Sequence, residues 1–315
     1  MVVVFTGGMS PRRTSTEAPV VSDELFAPVG AEVELCYQTF GDPDGEPLLL
    51  VMGLGGPMNW WDTELCLMLA AAGFHVVRYD NRDTGRSTRI RARVTRGQLV
   101  RAFGGRRTRA PYSMSDLAGD AVALMDHLGW DSAHVAGVSM GGMIVQTVAV
   151  EHPTRVRSLT SIMSTTGRRT VGWQDPRLIP ALLAPRKPGR ESYVATSVAF
   201  WGVIGSPAWP ATPERLAERA GETFDRGYSA NGTMRHMLAV LGQPDRTQRL
   251  RSLRVPALVV HGTADKMVHL SGGRSTAAAI PGAELLTVDG MGHDLPPELF
   301  ETLVEAIART ADRAS

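Results

Sequence analysis

His134-Val135-Ala136-Gly137-Val138-Ser139-Met140-Gly141-Gly142-Met143-Ile144 is the stretch on which the fold turns. Its first residues form a short apolar run that reads as a buried strand. The run meets Gly137-Val138-Ser139-Met140-Gly141 and continues at once into a helix-like segment, Met143 to Val150. A serine on a sharp strand-to-helix turn sits in a strained backbone conformation with its hydroxyl exposed. The flanking glycines are required because a β-carbon there would collide with the neighbouring strand or helix. The helix that follows aims its first free N–H groups, that of Met140 among them, at whatever bonds to the serine oxygen.

The rest of the chain alternates in the same way. Glu32 to Phe40, Leu48 to Met52, Phe74 to Tyr79, Val156 to Met163, Pro256 to His261 and Ala283 to Val288 read as strands, several of them apolar throughout. Helices are expected over Asp62 to Ala72, from Ser115 or Asp116 as cap to Leu128, near Gly272 to Ala279, and over Pro297 to Thr310. Strands without polar alternation, separated by helices, predict an α/β protein with a mainly parallel sheet covered on both faces. Residues 1–28, rich in Ser, Thr, Pro and Gly, are expected to be a loose arm. Residues 29–164 and 251–315 are expected to form the core. Between them, 165–250 breaks the rhythm with seven prolines from Pro176 to Pro213, and it is too long for a structureless loop. It reads as a helical insertion.

Composition restricts the function. The 315 residues are 43% apolar and 21% charged with a net charge of +1, so no overall field draws the chain to nucleic acid or an acidic membrane. The arginines between Arg82 and Arg109 read as a solvated loop. Cys36 and Cys66 have neither metal nor redox spacing and read as buried free thiols. No His or Cys pair has metal-ligand spacing, and no Gly-x-Gly-x-x-Gly opens a helix after an early strand, so neither metal nor cofactor is expected. No apolar run is long enough to span a membrane, and the first residues lack a signal-peptide pattern; a cytoplasmic protein is expected.

A serine hydroxyl becomes a nucleophile when a base takes its proton, and a carboxylate must fix that base's tautomer. Partners of an elbow serine follow in the order acid, then histidine, each after a later strand. His261-Gly262-Thr263-Ala264-Asp265 supplies the acid, Asp265. Asp289-Gly290-Met291-Gly292-His293-Asp294 supplies the base, His293. Asp289 and Asp294 lie too close in sequence to His293 to reach its ring readily, and read as a turn carboxylate and a helix cap. His261 is expected to brace the acid loop, and His269 to be a partly exposed loop residue. An oxyanion needs two preset N–H donors. Met140 is one, and Leu54, in the loop Gly53-Leu54-Gly55-Gly56, is the other candidate. In the insertion, Trp173, Trp201, Trp209, Met234, His236 and Met237 are candidate walls of an apolar substrate pocket.

With these residues assembled, the chain resembles the α/β-hydrolase superfamily from about Glu32 onward. It is most similar to bacterial esterases carrying Arg-Tyr-Asp-Asn-Arg-Asp-Thr-Gly-Arg-Ser, here Arg78 to Ser87, a group that includes aclacinomycin methylesterase-like and mycobacterial lipase/esterase proteins, some with phospholipase or thioesterase activity. The resemblance implies an eight-stranded, mostly parallel sheet, a helical cap inserted after the sixth strand, and a Ser139–Asp265–His293 triad. It also implies that Asp80, Arg82, Gly85 and Ser87 form a structural turn. The oxyanion loop departs from the family's frequent His-Gly, reading Met52-Gly53. The function expected is a serine hydrolase that cleaves apolar acyl or small hydrophobic esters through an acyl-enzyme, with medium-length acyl esters preferred over acetate and little activity on charged substrates. A cofactor-free haloperoxidase, a carbon–carbon bond hydrolase and a non-enzymatic ligand receptor that keeps the triad remain alternatives.

Overall fold

The computed structural model describes residues 20–106, 108–183 and 187–314. Eight strands make one sheet: β1 (Leu25–Gly30), β2 (Val33–Phe40), β3 (Glu46–Val51), β4 (Phe74–Tyr79), β5 (Ala133–Val138), β6 (Val156–Ile162), β7 (Ala257–Gly262) and β8 (Glu284–Val288). They lie in the order β1-β2-β4-β3-β5-β6-β7-β8. The pairs β1–β2 and β2–β4 are antiparallel, and every later pair is parallel. Every residue of β4, β5 and β7 is buried, as strands covered on both faces must be.

The helices in chain order are α1 (Thr63–Ala71), α2 (Arg96–Phe103), α3 (Met114–His127), α4 (Met140–Glu151), α5 (Ile179–Leu183), α6 (Arg190–Ile204), α7 (Pro213–Asp225), α8 (Ala230–Gly242), α9 (Thr247–Leu250), α10 (Ser271–Ala279) and α11 (Phe300–Asp312). Leu117, Ala121 and Leu124 of α3 and Ile144 and Val148 of α4 pack with Leu49, Val51, Val77 and Val135 on one face of the sheet. Leu65 and Leu69 of α1 and Leu303 and Ile307 of α11 cover the other with Leu48, Leu50 and Val260. Helices α5 to α9 all fall between β6 and β7, where the sequence breaks its strand–helix rhythm.

Three expectations need correction. Residues 20–28 are not wholly a loose arm: Val21 bridges Phe40, and Leu25 onward pairs with β2, whose outer edge would otherwise be unpaired. Residues 1–19 lie outside the described residues. The arginine-rich stretch is not all loop, because a capping box between Thr95 and Gln98 starts α2, which buries Leu99 and Ala102. The cap of α3 is Ser113, which accepts from the Asp116 N–H while Asp116 accepts from its own. Cys36 and Cys66 are buried and free, and burial pushes both thiols up to about 12.

The turn from β5 to α4 fixes the position of Ser139. Its backbone takes φ 56° and ψ −116°, a conformation that costs an L-residue energy unless its surroundings enforce it. They do so through close backbone approach: a β-carbon on Gly141 would sit 2.0 Å from the Val51 carbonyl oxygen, and one on Gly137 would sit 2.2 Å from that of Gly141. Gly141→Ala therefore forces α4 away from β3. It is expected to destabilise the chain by about 2 kcal/mol or more, read as a lower urea midpoint at unchanged slope. An unchanged midpoint would mean that the helix does not bear on the strand at this point.

Candidate active site

Ser139 is held from three sides. Its N–H donates to the Ile162 carbonyl of β6 at 2.9 Å, and its own carbonyl accepts from the Ser164 hydroxyl at 2.7 Å and the Met143 N–H at 3.2 Å. The hydroxyl is thereby left to face His293, whose Nε2 lies 3.0 Å from Oγ. His293 Nδ1 is 2.8 Å from Oδ2 of Asp265. A carboxylate can only accept, so Nδ1 carries the proton and Nε2 is free to take one from serine. Asp265 Oδ1 accepts the N–H groups of Met267 and Val268, each at 2.8 Å, which orients the carboxylate without consuming Oδ2. His261 braces this loop through Nε2, 2.7 Å from the Val268 carbonyl and 3.5 Å from Asp265. The three residues singled out in sequence thus form one hydrogen-bonded chain.

The loop after β3 runs against the serine: a β-carbon on Gly53 would stand 3.2 Å from Ser139 Cβ. Asn81 pins the end of that strand by donating to the Met52 carbonyl at 3.0 Å. Among the described residues no protein acceptor meets the Leu54 N–H, and that of Met140 lies in the first turn of α4, where helix N–H groups lack intrahelical partners. Leu54 and Met140 both border the cavity that contains Ser139 and His293.

That cavity is about 740 Å³ and lies between the sheet's edge loops and the inserted helices. Trp201 and Met237 line it, together with Phe200, Tyr193 and Leu178, which sequence reading did not single out. Four of the pocket candidates are elsewhere. Trp173 is half exposed and stacks on His269 at 4.2 Å. Trp209 packs against the core cluster beneath α1 and α11, and Met234 against Val94, Leu99 and Leu238. His236 is fully buried behind the Leu54 loop, where Nδ1 accepts the Gly55 N–H at 3.2 Å and Nε2 donates to the Arg82 carbonyl at 2.8 Å. Asp289 accepts from Thr263 in a turn, as expected. Asp294 caps no helix; it faces the cavity and accepts from the Ser206 hydroxyl at 2.5 Å. Burial raises its pKa, against that hydrogen bond.

Sequence reading also missed the groups that join the inserted helices to the core. Arg226, at the end of α7, reaches Asp80 at 2.7 Å and Glu24 at 2.5 Å. Arg235 of α8 reaches Asp83 at 2.6 Å, and Tyr112 donates to the same carboxylate. Burial opposes ionisation of Asp83, yet Arg235 and Tyr112 hold its pKa below the usual range. The His293 N–H donates to the Ile204 carbonyl at the end of α6. Among the described residues, no cluster of three or more His, Cys, Asp or Glu could hold a metal ion, and no helix is long and apolar enough to cross a membrane.

Burial lowers the pKa of His236 from 6.5 to about 4, so the folded chain keeps it neutral and able to accept from Gly55. The unfolded chain binds a proton below 6.5 that the folded chain refuses. Stability is therefore full above that pH and falls as pH drops towards 4. His236→Leu is expected to flatten the stability profile in that window, by at most about 1.4 kcal/mol per pH unit relative to the parent. Parallel profiles in urea titrations would show that His236 is not kept neutral.

Comparison with known proteins agrees with this architecture. Residues 46–298 match the family model described as alpha/beta hydrolase fold. Rhodomycin D methylesterase DnrP of Streptomyces peucetius is 28% identical over 88% of this chain and 94% of its own length. Its counterpart DauP of Streptomyces sp. strain C5 is 29% identical over the same shares. The solved structure of the 2-hydroxy-6-oxo-6-phenylhexa-2,4-dienoate hydrolase of Rhodococcus sp. strain RHA1 superposes with a TM-score of 0.70, at 20% identity, over 92% of this chain and 99% of that one; at such identity it shows the fold alone. From its sheet order, its serine turn and the extent of the family match, this chain belongs to the α/β-hydrolase fold family.

Proposed function

We propose that the chain is a serine ester hydrolase working through an acyl-enzyme, with Ser139 as nucleophile, His293 as base and Asp265 as its orienting acid. The observation that carries this reading is the Asp265–His293–Ser139 chain, with links of 2.8 and 3.0 Å. As Ser139 Oγ attacks the ester carbonyl, its proton passes to His293 Nε2, and the imidazolium is stabilised by Asp265. The carbonyl oxygen becomes an oxyanion between the Met140 and Leu54 N–H groups, which need no reorganisation to receive it. Collapse expels the alcohol, which takes the proton from His293. Water then repeats the sequence on the acyl-enzyme and frees the acid. None of these steps calls for a metal or cofactor.

Similarity to two methylesterases supports an ester over other carbonyl substrates. The apolar walls supplied by Trp201, Phe200, Met237 and Leu178 suit a hydrophobic acid moiety. Ser139→Ala should reduce hydrolysis of p-nitrophenyl butyrate to a few percent or less with the fold intact. Asp265→Asn, which favours the wrong imidazole tautomer, should cost on the order of 10⁴-fold in kcat. A larger loss from Asp289→Asn or Asp294→Asn would move the acid's role to that residue. Turnover that requires peroxide and halide, or cleavage of a carbon–carbon bond in place of an ester, would assign a different reaction to the same serine; ligand binding without turnover would indicate a receptor.

The cavity generates a separate expectation about chain length. The parent should have a higher kcat/KM for p-nitrophenyl butyrate and hexanoate than for acetate, and Trp201→Ala and Met237→Ala should alter that order. The corresponding changes at Trp173, Trp209 and Met234, which lie outside the cavity, should not. A chain-length profile insensitive to both cavity residues would place the acid moiety elsewhere.

A further inference from the structure

Among the described residues four cations border the Ser139 cavity, and Arg219 of α7 differs from the rest in what holds it. Arg177 is paired with Asp175 at 2.6 Å, and the Lys266 ammonium donates to the Val203 carbonyl at 3.0 Å. Lys187 is exposed to solvent. Arg219 is largely enclosed, and its guanidinium lies against two indoles, 4.5 Å from the ring centre of Trp201 and 5.2 Å from that of Trp60. The two rings meet edge to face at 5.1 Å, and Trp60 is itself fixed by donating to Thr223, one turn along α7 from Arg219.

Arg219 Nη2 is shut away from solvent without a hydrogen-bond acceptor. Among the described residues the side chain forms no ion pair, whereas Arg226 and Arg235, two of the arginines that join the insertion to the core, each meet a carboxylate, and buried Arg246 donates to Gln146 and the Thr165 carbonyl. Asp294 is the acid whose charge Arg219 feels most, but that carboxylate is engaged by Ser206. Aromatic faces return only part of the hydration that a cation loses on burial. A buried donor left unpaired in a native structure calls for a partner, and Arg219 borders the Ser139 cavity.

We infer that Arg219 anchors an anion in this cavity, so that the ester hydrolysed carries a carboxylate on its acid moiety; the inference rests on the ester-hydrolase reading above. A planar guanidinium donates to a carboxylate through two parallel N–H bonds, and Trp60 and Trp201, which border the same cavity, offer apolar surface to the chain that carries it. The assignment departs from the sequence expectation of little activity on charged esters, which took account of the tryptophans and methionines of the insertion but not of Arg219.

Monomethyl adipate and methyl hexanoate differ at the far end of the acid chain, a carboxylate against a methyl group. The intact chain should have the higher kcat/KM for monomethyl adipate. Arg219→Met should reduce the ratio between the two esters by on the order of 10- to 100-fold, and Arg219→Lys should retain part of it. A parent that favours methyl hexanoate, or a ratio that Arg219→Met leaves unchanged, overturns the anchor. Calorimetric binding of both esters to Ser139→Ala, with and without Arg219→Met, separates the two readings. Arg219-dependent binding of monomethyl adipate with neither ester cleaved by the parent keeps the anchor and overturns the ester-hydrolase reading. Equal affinity of Ser139→Ala for the two esters overturns the anchor even if Arg219→Met does not fold.

Discussion

The contact on which the site depends is the approach of α4 to the end of β3, where Gly141 lies against the Val51 carbonyl. Only glycine permits this approach. It places the first turn of α4 beside the loop that leaves β3, so that the Met140 and Leu54 N–H groups come from two adjacent, independently braced segments. It also forces Ser139 into a positive-φ conformation that presents its hydroxyl away from the backbone. The energy stored in that residue is held in place by the buried strands to either side, with Ile162 and Ser164 of the next strand and its exit loop taking up its backbone groups.

A second constraint couples the inserted helices to this centre. The turn Asp80–Ser87 acts as a socket: Asp80 accepts the Met58 N–H from the core and the Arg226 guanidinium from the insertion, and Asp83 receives Arg235. Removing one partner from such buried pairs leaves an uncompensated charge, so the pairs fix where α7 and α8 lie more than they add to stability. One residue further along α8, His236 reaches the Gly55 N–H. The helices that wall the cavity are thus tied to the loop that presents Leu54, and the His293 loop is tied to α6 through Ile204.

The parts of this arrangement legible in the sequence are those tied to the sheet. Ser139, Asp265 and His293 each stand just past an apolar run, and parallel strands deliver their ends to one edge, so chain order alone brings the three residues near each other. The glycines of the serine turn and the apolar strands were readable for the same reason. Trp173, Trp209, Met234 and His236 were not, because the inserted segment is placed by packing against other helices and by the Arg226 and Arg235 pairs. A tryptophan looks the same in sequence whether it lines a cavity, stacks on His269 or joins the core. Leu25–Gly30 is apolar throughout but does not read as a strand, because Pro28 and Gly30 interrupt it and it follows a stretch rich in Ser, Thr and Pro; only its pairing with β2 makes it one. Arg219 gave no signal at all: in a helix rich in Arg and Glu it reads as one more solvated charge, and only the indoles of Trp60 and Trp201 set it apart.

The central claim is that Ser139 itself becomes covalently acylated. It is tested most directly by mixing the chain with p-nitrophenyl butyrate, quenching in acid within the first turnover, and mapping the butyryl mass by peptide mass spectrometry. The account predicts an adduct on the peptide containing Ser139 that decays on the timescale of steady-state hydrolysis. A butyryl group on any other residue, or ester turnover with no covalent adduct at any quench time and no burst of p-nitrophenol, would contradict it.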